Sequence, residues 1–106
     1  MRAEARRTEA LDERIASAFA GGTNSGVVAD LIAEAKAAAV SSAEAADRAR
    51  TRALDPALSM ADVAAARQKM EDAVFRRDRM GEAVLRLGDR LREVRRREDE
   101  ARRRAA

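Results

Sequence analysis

Residues 63–101 read VAAARQKMEDAVFRRDRMGEAVLRLGDRLREVRRREDEA. Within them, small and apolar residues recur at steps of three and four, and only Arg77 and Glu98 interrupt the pattern. This spacing keeps one stripe of a helix turned toward a partner helix, as in a coiled coil. The segment therefore predicts one long helix that packs against another helix. The stripe positions are Val63, Ala66, Met70, Ala73, Arg77, Met80, Val84, Leu87, Leu91, Val94, Glu98 and Ala101.

The composition favours thin contacts between helices over a thick core. The chain has 106 residues, of which 39 % are charged, with two Phe and no Trp or Tyr. Its apolar fraction of 46 % comes largely from Ala, which buries little area, and burial stabilises by about 25 cal/mol per Å². Small helical chains of this kind often need a partner to complete a core. We therefore expect a single elongated all-α domain over residues 1–106 that is coiled-coil-like and oligomeric.

Two breaks divide the chain into three helices. The sequence GGTNSG gathers helix-breaking residues and predicts a loop. Pro56 pushes the residue before it out of helical geometry and predicts a turn. We expect helices over 2–20, 27–54 and 60–104, the glycine-rich loop over 21–26, and the turn over 55–59.

Short polar side chains mark where the second and third helices begin. The side chain of Asn24 or Ser25 can accept a hydrogen bond from a free amide of the first turn. Ser59 followed by Asp62 resembles a capping box, with Asp in place of the usual Glu. These positions predict the N-caps of the two long helices.

A short turn makes the two long helices antiparallel neighbours. If both helices start level with the turn, facing residues have numbers that add to about 113. Arg77, a charge within the stripe, is expected to fix this register. The third helix then overshoots the second, and we expect the first helix to continue in line and cover the overhang; folding back, or packing on another subunit, is the alternative. The predicted helix seam comprises Val28, Leu31, Ala35, Ala38, Ala45, Ala49, Val63, Met70, Met80, Val84 and Leu87.

Several residues of the third helix lie off the seam and are candidates for a partner contact. Gly81 and Gly88 are seven residues apart on one face, although glycine costs about 1 kcal/mol relative to Ala inside a helix. They indicate either close approach of another helix or simple tolerance in a packed helix. Large apolar groups off the seam often mark an interface, most simply that of a two-fold dimer forming a four-helix bundle. The candidate partner interface comprises Val74, Phe75, Gly81, Leu85 and Gly88.

Arginines near the C-terminus suggest an alternative function, the binding of nucleic acid or another anionic surface. The formal net charge is +3, and the surplus lies in residues 55–106, which hold 14 basic and 11 acidic residues. Three acids, at positions 98–100, can pair with the arginines four residues later and neutralise much of the patch. Residues 95–104 include no aromatic residue to stack on bases. The candidate anion-binding residues are Arg95, Arg96, Arg97, Arg102, Arg103 and Arg104.

The residue types argue against catalysis. The chain has no His and no Cys, which removes the commonest acid–base group, the thiol nucleophile and the usual transition-metal ligands. The loop at 21–26 lacks the Lys-Ser or Lys-Thr of a phosphate loop. No stretch resembles a secretory signal or the roughly 20 apolar residues of a membrane span. We therefore expect a cytoplasmic structural or protein-interaction module, without enzyme activity, cofactor or metal, that binds itself or another helical protein.

Overall fold

Three helices account for most of the described chain. The computed structural model describes the backbone from Arg2 to Ala106 and the side chains from Ala10 onward. Its helices are α1 (Arg2–Ala20), α2 (Ser25–Ala53) and α3 (Met60–Ala105). The predicted bounds differ from these by at most two residues. The predicted all-α class, with α3 packed against α2 as a hairpin, is confirmed.

The predicted caps hold the first turns of α2 and α3. The side-chain oxygen Oδ1 of Asn24 accepts the N–H of Val27 at 3.0 Å, so Asn24 is the N-cap of α2. Oγ of Ser59 accepts the N–H of Asp62 at 3.2 Å and does the same for α3. Between the two helices, Oδ1 of Asp55 accepts the N–H of Ala57 at 2.9 Å, which stabilises the turn around the proline.

The chain divides into two compact units, each with its own buried residues. The first, called here the three-helix unit, contains α1, α2 up to Ala35, and Ala83–Ala106. The second, the hairpin unit, is Lys36–Glu82. In the three-helix unit the buried apolar side chains are Leu11, Ile15, Ala18, Val28, Leu31, Ala35, Leu87 and Val94.

In the three-helix unit, α1 folds back along α2. The guanidinium of Arg14 donates two hydrogen bonds to the carboxylate of Glu34, at 2.9 and 2.7 Å. Gly21 and Gly22 have positive φ angles of 115° and 70°, which side-chain-bearing residues adopt only with strain. The expectation that α1 continues in line through the loop was wrong, because these two glycines reverse the chain. The alternative, folding back within the same chain, is what the structure shows.

The hairpin unit has few buried side chains. They are Ser42, Ala46, Ala66 and Met80. Arg77, although on the predicted stripe, is exposed, and its Nε lies 3.0 Å from Oδ1 of Asp78 on the same helix. Arg77 lies at the edge of the stripe, where Met70 and Val84, seven residues to either side, are only half-buried, and its long side chain extends from this edge into solvent. The proposal that Arg77 fixes the register is therefore wrong.

The register in the three-helix unit also differs from the prediction. The N–H of Ser25 donates to Oε2 of Glu98 at 3.0 Å, and these residue numbers add to 123. The difference from about 113 is about ten residues, or about 15 Å of helix, more than one side chain spans. The assumption that both helices start level with the turn caused the error. Met60 is 80 % exposed, Val63 is half-buried and Ala66 is the first buried residue of α3, so α3 becomes buried only after its first turn.

Candidate interaction surfaces

The predicted seam residues all lie on inward faces of their helices. Five of the eleven are buried: Val28, Leu31, Ala35, Met80 and Leu87. The other six are half-buried: Ala38, Ala45, Ala49, Val63, Met70 and Val84. Ala46 was not among the predicted seam residues, yet it is buried while its neighbour Ala45 is only half-buried. The buried side of α2 therefore turns slightly along the hairpin unit.

The candidate partner interface is open to solvent at its large side chains. In the hairpin unit, Phe75 is 69 % exposed, Gly81 is exposed and Val74 is half-buried. In the three-helix unit, Leu85 is 67 % exposed and Gly88 is half-buried. A methyl group added at Gly81 or Gly88 would meet no atom within 4 Å. Among the described residues, neither glycine therefore serves a close helix contact within this chain.

Both phenylalanines lie outside the buried core. Phe19 is 44 % exposed in the three-helix unit, and Phe75 is more exposed still in the hairpin unit. The fully buried large side chains are Leu, Val and Met instead. Further exposed apolar residues of the hairpin unit are Val40, Leu54 and Met60, and Val27 is exposed in the three-helix unit.

Two charged residues of α3 bind the helix ends that flank the glycine loop. Nε of Arg90 donates to the carbonyl oxygen of Ala18 at 2.9 Å, near the C-terminus of α1. The carboxylate of Glu98 accepts the N–H of Ser25 at the start of α2. A cation thus faces the negative end of one helix dipole and an anion faces the positive end of the next. This arrangement docks the α1–α2 corner onto α3.

Hydrogen bonds within the three-helix unit shift the pKa values of three charged side chains. The hydrogen bond from Ser25 lowers the pKa of Glu98 below its ordinary value. The bidentate pair with Arg14 likewise lowers the pKa of Glu34, and it raises the pKa of Arg14. Nη1 of Arg90 also lies 3.0 Å from Oε1 of Glu93, and the Arg90 side chain is only 10 % exposed. Arg90 is therefore a cation with little solvent exposure that is held by two partners.

Sequence reasoning missed Arg90 because the stripe was drawn for one partner helix. A helix that packs against two neighbours buries a wider arc, and position 90 falls at the edge of that arc, beside Leu87 and Leu91. The glycine-rich loop carried the signal, because a reversal of the chain at this loop places α1 beside α2. A prediction with α1 in that place would also have set α3 against two helices. An arginine at the edge of the wider face could then have been recognised as a partner for a helix end.

The C-terminal arginines are all exposed, and their pairing differs from the predicted i,i+4 scheme. Arg97 lies 2.6 Å from Glu93, preceding the acidic run. Arg102 pairs with Asp99 at i,i+3 spacing, while Nε of Arg103 lies 3.5 Å from the backbone oxygen of Asp99. Of these six arginines, three make neither a hydrogen bond nor an ion pair with another described residue: Arg95, Arg96 and Arg104.

Other kinds of site are not indicated in the described part of the chain. Residues 2–106 include no helix that has both the length and the apolarity needed to cross a bilayer. The described side chains include no group of three or more acidic residues placed to hold a metal ion. Comparison with protein-family profiles, curated proteins and solved structures finds no match for this chain. The surfaces described above are therefore the basis for any functional conclusion.

Proposed function

We propose that this chain is a non-catalytic protein-interaction module that associates through the outer faces of its helices, most simply with a second copy of itself. The observation that carries the proposal is the exposure of both phenylalanines while smaller side chains fill the core. Burying a Phe side chain stabilises by about 1.5–3 kcal/mol relative to exposure. Phe75 leaves most of this stabilisation unused in the isolated chain.

The small buried core of the hairpin unit also supports the proposal. Its buried set of two alanines, one serine and one methionine offers little apolar area, and stabilisation scales with that area. A small helical hairpin with so thin a seam gains stability from a further packed layer. Phe75, on the outer side of α3, provides an apolar contact point for that layer.

Sedimentation equilibrium of the full chain tests the proposal. We expect reversible association at micromolar concentration, and we expect Phe75→Gln to weaken it at least tenfold, which corresponds to about 1.4 kcal/mol. Met60→Gln is the matched control, because Met60 is equally apolar and exposed but lies at the first residue of α3. A wild-type chain that stays monomeric at 100 µM contradicts self-association, and equal affinity of the two variants contradicts the role of Phe75.

The glycines give a second test with a clear structural basis. Because open space surrounds both positions in the isolated chain, Gly81→Leu and Gly88→Leu should leave the monomer folded. If another helix approaches the glycines, these variants should lose association while circular dichroism at 222 nm stays unchanged. Association that survives both substitutions would place the interface elsewhere on the chain.

A further inference from the structure

The C-terminal end of α3 extends beyond the packed part of the three-helix unit. Val94 is the last buried residue of the helix, and Glu98 is half-buried against the start of α2. From Asp99 to the end, every residue is exposed, although the helix continues to Ala105. Arginines therefore stand on several sides of a helix end that no other described element covers.

Three of the four acids beside these arginines make contacts, and the fourth, Glu100, is exposed among them. Glu98 turns its carboxylate to the amide of Ser25. Asp99 is held by Arg102, and Glu93 is shared by two arginines, Arg90 and Arg97. Because residues 95–104 hold six arginines and only three acids, the acidic run neutralises the arginine patch only in part.

Two arginines of this helix end lie on the side opposite Val94, the last buried residue of the helix. Arg96 and Arg103 are seven residues apart, so they lie on nearly the same face about 10 Å apart along the axis. Arg95 lies at the border of this face. Their guanidinium groups can each donate two parallel hydrogen bonds to a phosphate.

We infer that this helix end, residues 95–104, binds the phosphate backbone of double-stranded nucleic acid. An α-helix with its side chains is about 10–12 Å wide, which matches the major groove of about 12 Å. Arginines on several sides of such a helix can reach phosphates that border the groove. Contacts of this kind carry no base sequence information, so the binding is sequence-independent. This inference does not rest on self-association.

A lipid surface fits the same charges less well. Helices that lie in a membrane interface place Trp, Phe or Leu on one face, whereas residues 95–106 include no apolar residue larger than Ala. Val94 and Leu91, which precede the segment, are turned toward the packed side of the helix. Dense phosphates are therefore the better partner for this surface.

Fluorescence anisotropy with a labelled 20-base-pair DNA duplex tests the inference. The full chain should bind at 50 mM salt, and its affinity should fall about 40-fold or more between 50 and 200 mM salt, as expected for three or four phosphate contacts. The triple variant Arg95→Gln, Arg96→Gln, Arg103→Gln should bind at least tenfold more weakly. Its salt dependence should be shallower by about one unit of slope per arginine removed.

The triple variant Arg48→Gln, Arg50→Gln, Arg52→Gln is the matched control. It removes the same charge from exposed arginines at the end of α2 and should keep wild-type affinity. Equal losses in both triple variants would show an effect of net charge alone and overturn the inference. So would absence of duplex binding at 50 mM salt, or binding to vesicles containing phosphatidylserine without binding to the duplex. Circular dichroism at 222 nm establishes that each variant is folded.

Discussion

Replacing Arg90 with Met should loosen α1 from the rest of the three-helix unit. The side chain of Arg90 is only 10 % exposed and binds the carbonyl oxygen of Ala18 and the carboxylate of Glu93. Met keeps most of the apolar stem and removes the guanidinium. The carbonyl of Ala18, near the end of α1, then loses its partner within a buried part of the helix.

The structure sets the size of the effect. A hydrogen bond from a charged donor contributes about 1.5–3 kcal/mol, and Glu93 keeps its second partner, Arg97, so no carboxylate is left unpaired. We therefore expect Arg90→Met to lower the free energy of unfolding by about 2 kcal/mol. Arg90→Ala should cost about 3–5 kcal/mol, because it also removes two buried methylene groups at about 0.8 kcal/mol each.

Urea denaturation followed at 222 nm measures the difference, and Arg92→Met is the control. Arg92 is two residues away, carries the same charge and pairs with Asp89, but its side chain is 73 % exposed. Exposed pairs of this kind contribute about 0–1 kcal/mol. Hydrogen exchange adds a local readout: in Arg90→Met the amides of α1 should lose protection before those of the hairpin unit. Equal midpoints for the two variants would refute the assignment of Arg90 as the docking residue.

Other substitutions in the loop and on α3 are expected to raise stability at some positions and to change its pH dependence at another. Thr23→Val should raise stability by about 1 kcal/mol in urea denaturation, because the buried hydroxyl of Thr23 has no partner among the described residues; a fall would contradict this reading. Gly81→Ala and Gly88→Ala should each raise the monomer's stability by up to about 1 kcal/mol, since the added methyl meets open space; a lower melting temperature would argue against it. The lowered pKa of Glu98 contributes stability that is present above the carboxyl's ordinary pKa and lost as pH falls through its lower, folded value. Wild type should therefore lose more stability than Glu98→Gln between pH 5 and pH 3 in thermal melts, and parallel losses would show that the contact contributes nothing.

Local signals in the sequence were sufficient to locate the helices. Pro56 and the glycine-rich loop break helical geometry whatever the rest of the chain does, and Asn24 and Ser59 cap the amides that follow them. The spacing of apolar residues then identified the buried sides of α2 and α3. These features depend on neighbours within one or two helical turns, and a sequence displays such neighbours directly.

The direction of α1 and the register of the hairpin depend on information that spacing does not contain. A pair of glycines permits both a continuous path and a reversal of the chain. The reversal follows from the positive φ angles of Gly21 and Gly22, which the structure shows and the spacing of residues does not. The register was counted from the turn, but the first buried residue of α3, Ala66, lies beyond its first turn. These two assumptions left no place for the hydrogen bond between Glu98 and Ser25, because that bond requires the start of α2 to lie beside the end of the packed part of α3.

The residue types in the hairpin unit explain why Phe75 lies outside. Alanines at a helix contact allow the helix axes to approach closely, toward the short end of the usual 8–10 Å range. A phenylalanine placed between such helices would force them apart and open cavities around the small side chains. Phe75 therefore has no position in the seam, and on the outer side it adds hydrophobic surface without stabilising the hairpin. A contact with another protein surface is the arrangement in which this side chain contributes to stability, which is why its substitution is the sharpest test of the proposed interaction.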